Sequence, residues 1–127
     1  MTVTGPDSIA LQVRDPERSA QFYETVLGLR RAPRAPSGAV ALAGSPVPFA
    51  VREPLPGVDL DEGRPGLGVA LWMHCDGVKG LHARLVEAGT PILNGPAEGL
   101  FGLAYFFIEM GFRHVGHAVL ELLTVRD

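Results

Sequence analysis

The sequence carries one pattern twice: a short alternating apolar segment, then an Asp, then an amphipathic helical segment that ends at a Gly. Asp15 and Gly28 of the first copy recur 61 residues later as Asp76 and Gly89. Such a repeat indicates two copies of one supersecondary unit, and neither copy alone has enough apolar surface for a stable domain. We therefore predict a single domain, residues 1–127, built from two modules, with its functional site between them.

Composition restricts the class of protein. The chain has 127 residues, of which 46% are hydrophobic and 20% charged, as expected for one folded domain. A net charge of −3 argues against binding to nucleic acid or to an anionic membrane surface. The single cysteine, Cys75, cannot form an internal disulfide, and no signal-like segment follows Met1. We expect a cytoplasmic protein.

The first module begins with a predicted strand and helix. Ile9, Leu11 and Val13 alternate with smaller or polar residues, which is the period of a strand with one core-facing side. Asp15 then precedes a Pro and a Glu, the pattern of a capped helix start. The helix is predicted to end at Gly28, because glycine adopts the left-handed conformation without steric cost.

The second module repeats this order, with a strand over residues 69–74, a cap at Asp76 and a helix that ends at Gly89. A turn is predicted at Asn94, Gly95 and Pro96, before further strands. Each half is then a strand, a helix and three strands, an α+β arrangement with the helices on one face of the sheets. The predicted boundaries are 7–53 for the first βαβββ module, 54–66 for a linker rich in turn residues and acids, and 67–127 for the second module.

The residues also carry a family resemblance. Phe22-Tyr23 shortly before Leu27-Gly28 in a capped helix resembles the opening of the glyoxalase, bleomycin-resistance and extradiol-dioxygenase superfamily, also called vicinal oxygen chelate proteins. Residues 73–76 and 81–89 are similar to the matching part of its second module. The resemblance implies two βαβββ modules whose sheets curl into a half-open cup, with the ligand inside and the helices outside.

Strand alternation assigns residues to the two faces of each sheet. Ile9, Leu11 and Val13 are expected to pack under the helix, which leaves the residues between them for the cup. The 61-residue offset turns Trp72 and His74 towards the helix side, Trp72 as core filling. The predicted ligand-binding residues are Ser8, Ala10, Gln12, Glu53, Val69, Leu71, Met73, Phe101, Tyr105, Phe107 and Glu121.

The resemblance also implies where a metal would be bound. Enzymes of the superfamily use His or Gln at the start of the first and fifth strands and Glu near the ends of the fourth and eighth. The matching residues here are Ser8 and Val69, with Glu53 and Glu121 at the acidic positions. A neutral hydroxyl is a weak ligand and an isopropyl group has no lone pair, so we expect no metal cofactor.

One alternative metal site is open. His117 and Glu121 share a face of a strand at positions i and i+4, and His114 lies close by in the sequence. These three residues form the alternative ligand set for a divalent metal ion.

The function that the resemblance implies is binding of a small molecule. We expect metal-free sequestration of a flat or aromatic compound such as an antibiotic, as in the bleomycin-resistance branch, without catalysis. The alternative is a metal-dependent lyase similar to lactoylglutathione lyase, or a dioxygenase, and a third reading is a scaffold module with a vestigial cup. Because the Pro-rich edge over residues 33–36 leaves the cup short of cover, we also expect a two-fold homodimer.

Overall fold

The computed structural model describes residues 1–62, 70–90, 92–98, 104–108 and 121–125. The chain forms two compact units, Met1–Leu60 and Asp61–Asp127. Within the described residues each unit has a strand, a helix and three strands, so the predicted α+β class with two βαβββ modules is confirmed. The elements are β1 (Ile9–Gln12), α1 (Pro16–Thr25), β2 (Arg30–Arg31), β3 (Ala39–Ala43), β4 (Phe49–Arg52), β5 (Ala70–Cys75), α2 (Val78–Glu87), β6 (Ile92–Glu98), β7 (Ala104–Ile108) and β8 (Glu121–Val125).

The two sheets have the same topology. The strand order is β1-β4-β3-β2 in the first sheet and β5-β8-β7-β6 in the second. In each sheet the first strand of the unit pairs in parallel with the last one, while the remaining neighbours are antiparallel. The repeat in the sequence therefore corresponds to a repeat in chain path.

Helix α1 begins as the sequence predicts and ends at Thr25, three residues before the predicted terminal glycine. The Asp15 side chain accepts a hydrogen bond of 3.2 Å from the Arg18 backbone N–H, and Pro16 is the first helical residue. Past the last turn, Gly28 has a φ of 77°, the left-handed conformation that a side chain would oppose. The Leu29 N–H donates to the Tyr23 carbonyl at 3.0 Å, which satisfies a carbonyl near the end of the helix.

Helix α2 begins one residue later than predicted. Its cap is Gly77, without a side-chain hydrogen bond, so the prediction that Asp76 caps this helix is wrong. Strand β5 extends to Cys75, and both ends of α2 lie 62 residues after the matching ends of α1. Gly89 still has a φ of 77°, the same value as Gly28. The second copy thus contains one extra residue between the start of the strand and the start of the helix.

The core of the first unit lies between α1 and one face of its sheet. Leu42 and Val51 are fully buried, and Phe49 is nearly so. The Tyr23 ring stacks edge-on against Phe49 at 4.8 Å between ring centroids, and burial raises the pKa of the Tyr23 hydroxyl. Val13 is buried as well, as the alternation in the first strand predicts. α1 contacts β2, β3 and β4, so this face of the sheet is the helix face.

In the second unit, the buried residues of α2 are the predicted ones, but the buried and exposed residues of β5 are not. Val78, Leu81 and Leu85 of α2 are buried. Trp72, however, is 55% exposed, so its predicted role as core filling is wrong, and His74 is exposed too. The half-buried residues of β5 are the alternate ones, Leu71, Met73 and Cys75. The extra residue before α2 shifts the alternation of β5 by one position relative to β1, which exchanges its two faces.

Two smaller features complete the fold. Asn94, Gly95 and Pro96 lie within β6 instead of forming the predicted turn, and the pairing of β6 with β7 shifts register on both sides of Asn94. Bulges of this kind allow a strand to contain Gly and Pro. In the described parts of the chain, neither helix has the length and apolar character that a membrane span requires.

Candidate functional site

The face of the first sheet that points away from α1 is lined mainly by alanines. In β1, β3 and β4, a large apolar residue on the helix face alternates with a small or polar residue on the opposite face. We call this opposite face the alanine face. Its members are Ala10, Gln12, Arg30, Ala39, Ala41, Ala43, Ala50 and Arg52.

The centre of the alanine face is a floor of methyl groups. Ala41 of β3 is paired directly with Ala50 of β4, the two inner strands of the sheet. Ala10 and Ala43 are exposed, and the other alanines are half-buried. Because a methyl group extends little above the backbone, the centre of this face leaves room for a planar molecule.

Polar groups stand at one end of the floor. Gln12 lies directly opposite Arg52 in the parallel pair of β1 and β4. The Gln12 Oε1 accepts a 2.8 Å hydrogen bond from the Leu55 N–H, and the Arg52 Nε donates to the Glu53 carbonyl at 3.0 Å. These bonds orient both side chains. The terminal guanidinium nitrogens of Arg52 have no partner among the residues that the structure describes.

The two arginines of β2 lie on opposite faces of the sheet. Arg31 is opposite Leu42 on the helix face and forms ion pairs with Glu17 at 2.9 Å and with Glu24 at 2.6 Å. Its hydrogen bonds to these carboxylates raise the pKa of Arg31, and the pKa of Glu17 is lowered in turn. Arg30 is opposite Ala43 and therefore belongs to the alanine face.

Ser8 and Glu53 are not brought together by the fold. Ile9 pairs with Phe49 and Gln12 with Arg52, so Ser8 precedes one end of this ladder and Glu53 follows the other. At the spacing of a strand, about five residues separate them by roughly 15 Å. The Glu53 carboxylate instead lies over Gly38, where a Cβ atom would be 2.9 Å from Oε2.

Ser8 and Glu53 therefore do not fit the metal centre that the superfamily implies. A single ion cannot contact two groups so far apart, since ligand atoms lie about 2.0 to 2.6 Å from a bound cation. Ser8 and Val69 are also poor donors, and the first residues of β1 and β5, Ile9 and Ala70, have no side-chain lone pair.

In the second sheet, the predicted lining residues of β5 and β7 lie in different rows. Met73, Leu123 and Phe106 form one row across β5, β8 and β7. His74, Thr124 and Tyr105 form the neighbouring row. The backbone register thus groups Tyr105 with His74 and not with Met73.

The other predicted site residues are placed as follows. Phe107 lies on β7 and pairs with Asn94, while Glu121 is the first residue of β8 and pairs with Ala70. Whether these residues contact a ligand stays a prediction. Four residues of the predicted sets lie outside the described residues: Val69, Phe101, His114 and His117.

Arg30 and Arg52 are not among the ligand-binding residues predicted from the sequence. The signal was present, because the segment Phe49-Ala50-Val51-Arg52 alternates large and small or charged residues with period two. Trp72 and His74 were assigned to the wrong side, since an extra residue before α2 is not visible when only Asp15 and Asp76 are compared. Exposed on β5, they correspond to Ala10 and Gln12 once the 62-residue offset of the helices is applied.

Comparison with known proteins bears directly on this fold. A family model for the Glyoxalase/Bleomycin resistance protein/Dioxygenase superfamily matches residues 5–122, which confirms the resemblance described above. No curated protein sequence matches the chain.

Solved structures show the same fold. An integron cassette protein from the mobile metagenome of V. cholerae has a TM-score of 0.70 and 20% identity, covering 100% of this chain and 98% of that one. A virulence protein from Salmonella typhimurium has a TM-score of 0.69 and 21% identity, with 100% of each chain covered. A lactoylglutathione lyase from Agrobacterium tumefaciens has a TM-score of 0.67 and 15% identity, over 98% of this chain and 95% of that one. At these identities the likeness establishes the fold alone.

Proposed function

This chain belongs to the glyoxalase, bleomycin-resistance and dioxygenase superfamily, and we propose that it binds a flat or aromatic small molecule on the alanine face without using a metal ion. The observation that carries the proposal is the alanine face itself: an apolar floor of small side chains with Gln12 and Arg52 at one end. Small-molecule sites are mostly apolar and contain a few polar groups that orient the ligand. The alanine face has this composition.

The alternation of residues in the first sheet supports this assignment. The large side chains Leu42, Phe49 and Val51 all lie on the helix face, where they form the core. The opposite face has small side chains at its centre, so a planar ligand can approach the sheet closely and bury both its own surface and the methyl groups. Burial of apolar surface contributes about 25 cal/mol per Å² to the free energy of binding.

The proposed mode of action is stoichiometric. The ligand is held and shielded, and no bond is made or broken. A metal-dependent lyase or dioxygenase would need ligands at the positions of Ser8 and Glu53, which the fold separates. We also propose that the protein is a two-fold homodimer, because β2 is only two residues long and leaves that edge of the first sheet short.

A binding screen tests the proposal. Protein treated with chelator is screened by thermal shift against planar bicyclic and tricyclic compounds that include neutral, anionic and cationic members. We expect at least one compound class to raise the melting temperature in the absence of metal.

Matched variants locate the binding site. Ala50→Phe places a ring on the centre of the alanine face and should abolish the ligand-dependent shift. The control is Ala83→Phe, the same change at an exposed position of α2, which should retain it. A screen without any stabilising compound, or equal shifts in both variants, would overturn the proposed function.

Metal analysis tests the proposal that binding does not use a metal ion. Protein purified without chelator should contain well under one equivalent of Zn, Ni, Mn or Fe, and added metal should not raise its melting temperature. Near-stoichiometric metal, together with turnover of a glutathione hemithioacetal, would replace the proposal with the lyase alternative.

A further inference from the structure

We propose that the ligand of the alanine face is an organic anion, a planar molecule with a carboxylate, sulfonate or phosphate group that Arg52 binds and Arg30 attracts. The inference rests on the proposed function and specifies the class of ligand. It is argued from the charges that the fold places on this face.

The guanidinium group of Arg52 is oriented and has N–H groups available for an anion. Its Nε is already bonded to the Glu53 carbonyl, which limits the orientations of the guanidinium plane. Its two terminal nitrogens have no partner in the described part of the chain. A planar guanidinium with free terminal N–H groups matches the two oxygens of a carboxylate or a phosphate. Gln12, directly opposite, adds a side-chain amide at the same end of the face.

Arg30 and Arg31 differ in their surroundings: carboxylates balance the positive charge on the helix face, but none lies on the alanine face. Arg31 on the helix face has two carboxylate partners, Glu17 and Glu24. Arg30, the adjacent residue, lies on the alanine face, and no strand position of that face holds an Asp or Glu. Arg30 and Arg52 therefore border the alanines of a face that has no Asp or Glu at its strand positions. The chain as a whole nevertheless has a net charge of −3.

The spacing of the two arginines suits one ligand. Arg30 pairs with Ala43, while Arg52 pairs with Ala39 at the other end of β3. Four residues along a strand and two strand spacings correspond to about 13 Å and about 10 Å, so the two Cα atoms are roughly 16 Å apart. Arginine side chains that extend over the floor leave room between them for a ring system of two or three fused rings.

A matched set of probes tests the charge preference. The probes are 2-naphthoate, the neutral 2-naphthamide and the cationic 2-naphthylmethylammonium, measured by isothermal titration calorimetry at low and high salt. We expect naphthoate to bind at least tenfold more tightly than the amide, with the ammonium compound weakest. Because the preference is electrostatic, the ratio between naphthoate and the amide should fall as salt is raised.

Variants assign the preference to the arginines. Arg52→Gln should weaken naphthoate binding about tenfold or more, the loss of a charge-assisted pair, and change naphthamide binding by less than about twofold. Arg52→Lys, which keeps the charge but not the planar fork, should give an intermediate affinity. Arg30→Gln should have a smaller effect of the same kind. Arg34→Gln is the control, because it removes the same charge from an exposed loop position.

The outcomes separate this inference from the proposed function. If the amide or the ammonium compound binds as tightly as naphthoate, or if Arg52→Gln weakens all probes equally, the anion inference is overturned while binding at the alanine face stands. If none of the three probes binds at millimolar concentration, the inference is overturned as well. The thermal-shift screen with Ala50→Phe then decides the proposed function independently.

Discussion

The turn between β3 and β4 provides a sharp test of the structure, because these two strands carry the centre of the alanine face. Gly44 directly follows β3, and a Cβ atom built on it would lie 2.6 Å from the Val47 carbonyl oxygen. That separation is well inside van der Waals contact, and the obstructing atom belongs to the backbone of the same turn. Gly44→Ala therefore requires the turn to move, and with it the pairing of Leu42 with Phe49 that begins the ladder.

The expected cost follows from this clash. Forcing a methyl group into filled space costs about 1 to 3 kcal/mol of folding free energy. The same substitution at Gly80 of α2 meets no atom within 4 Å and should stabilise the protein by roughly 0.5 to 1 kcal/mol, because alanine is the better helix former. The two variants should thus differ by about 1.5 to 4 kcal/mol, or roughly 5 to 15 °C in melting temperature for a domain of this size.

Urea and thermal unfolding, followed by circular dichroism, measure this difference. Both variants remove a glycine and add one methyl group, so effects on the unfolded chain are similar and largely cancel. Gly44→Ala should unfold at lower urea and lower temperature than the wild type, and Gly80→Ala at higher. A Gly44→Ala variant as stable as Gly80→Ala would refute the geometry of the turn and the register derived from it.

Three further predictions follow from burial and charge. Leu42→Ala should cost about 2 to 5 kcal/mol because the side chain is fully buried, whereas half-buried Leu11→Ala should cost less, and equal losses in urea unfolding would contradict the assigned core. Since Arg31 lowers the pKa of Glu17, the stabilisation from this pair is present above the ordinary pKa of about 4.3 and is lost as pH falls through the lowered pKa. Glu17→Gln and Arg31→Gln should therefore both flatten the acid dependence of the melting temperature, and an unchanged slope would show that the ion pair does not form in solution. Trp72, the single tryptophan, is 55% exposed and should show red-shifted fluorescence that acrylamide quenches readily. Blue-shifted emission that acrylamide does not quench would show that Trp72 is buried.

Local features of the fold were predictable from the sequence. The Asp15-Pro16 start of α1 and the left-handed glycines at 28 and 89 depend on backbone conformations that single residues favour or oppose. The alternation in β1, β3 and β4 likewise needs only the period of a strand. Two copies of such a pattern were enough to identify the modules and the superfamily.

The composition of the candidate site required the tertiary structure. In the sequence, Ser8 and Glu53 match two positions of a metal site, but the pairing of β1 with β4 places them at opposite ends of one ladder. Register between strands distant in sequence is decided by packing and turn geometry, which no local pattern contains.

The sequence by itself thus determined the two helices and the order of elements in each module, although the predicted turn at residues 94–96 lies within a strand. Only the tertiary structure decided which side chains share a face across strands. In β5 a single extra residue before α2 moved Trp72 from the predicted core to an exposed position, because side chains alternate with a period of two and a shift of one exchanges the faces. Helix and strand identity depend on neighbours along the chain, whereas the site depends on neighbours across the sheet.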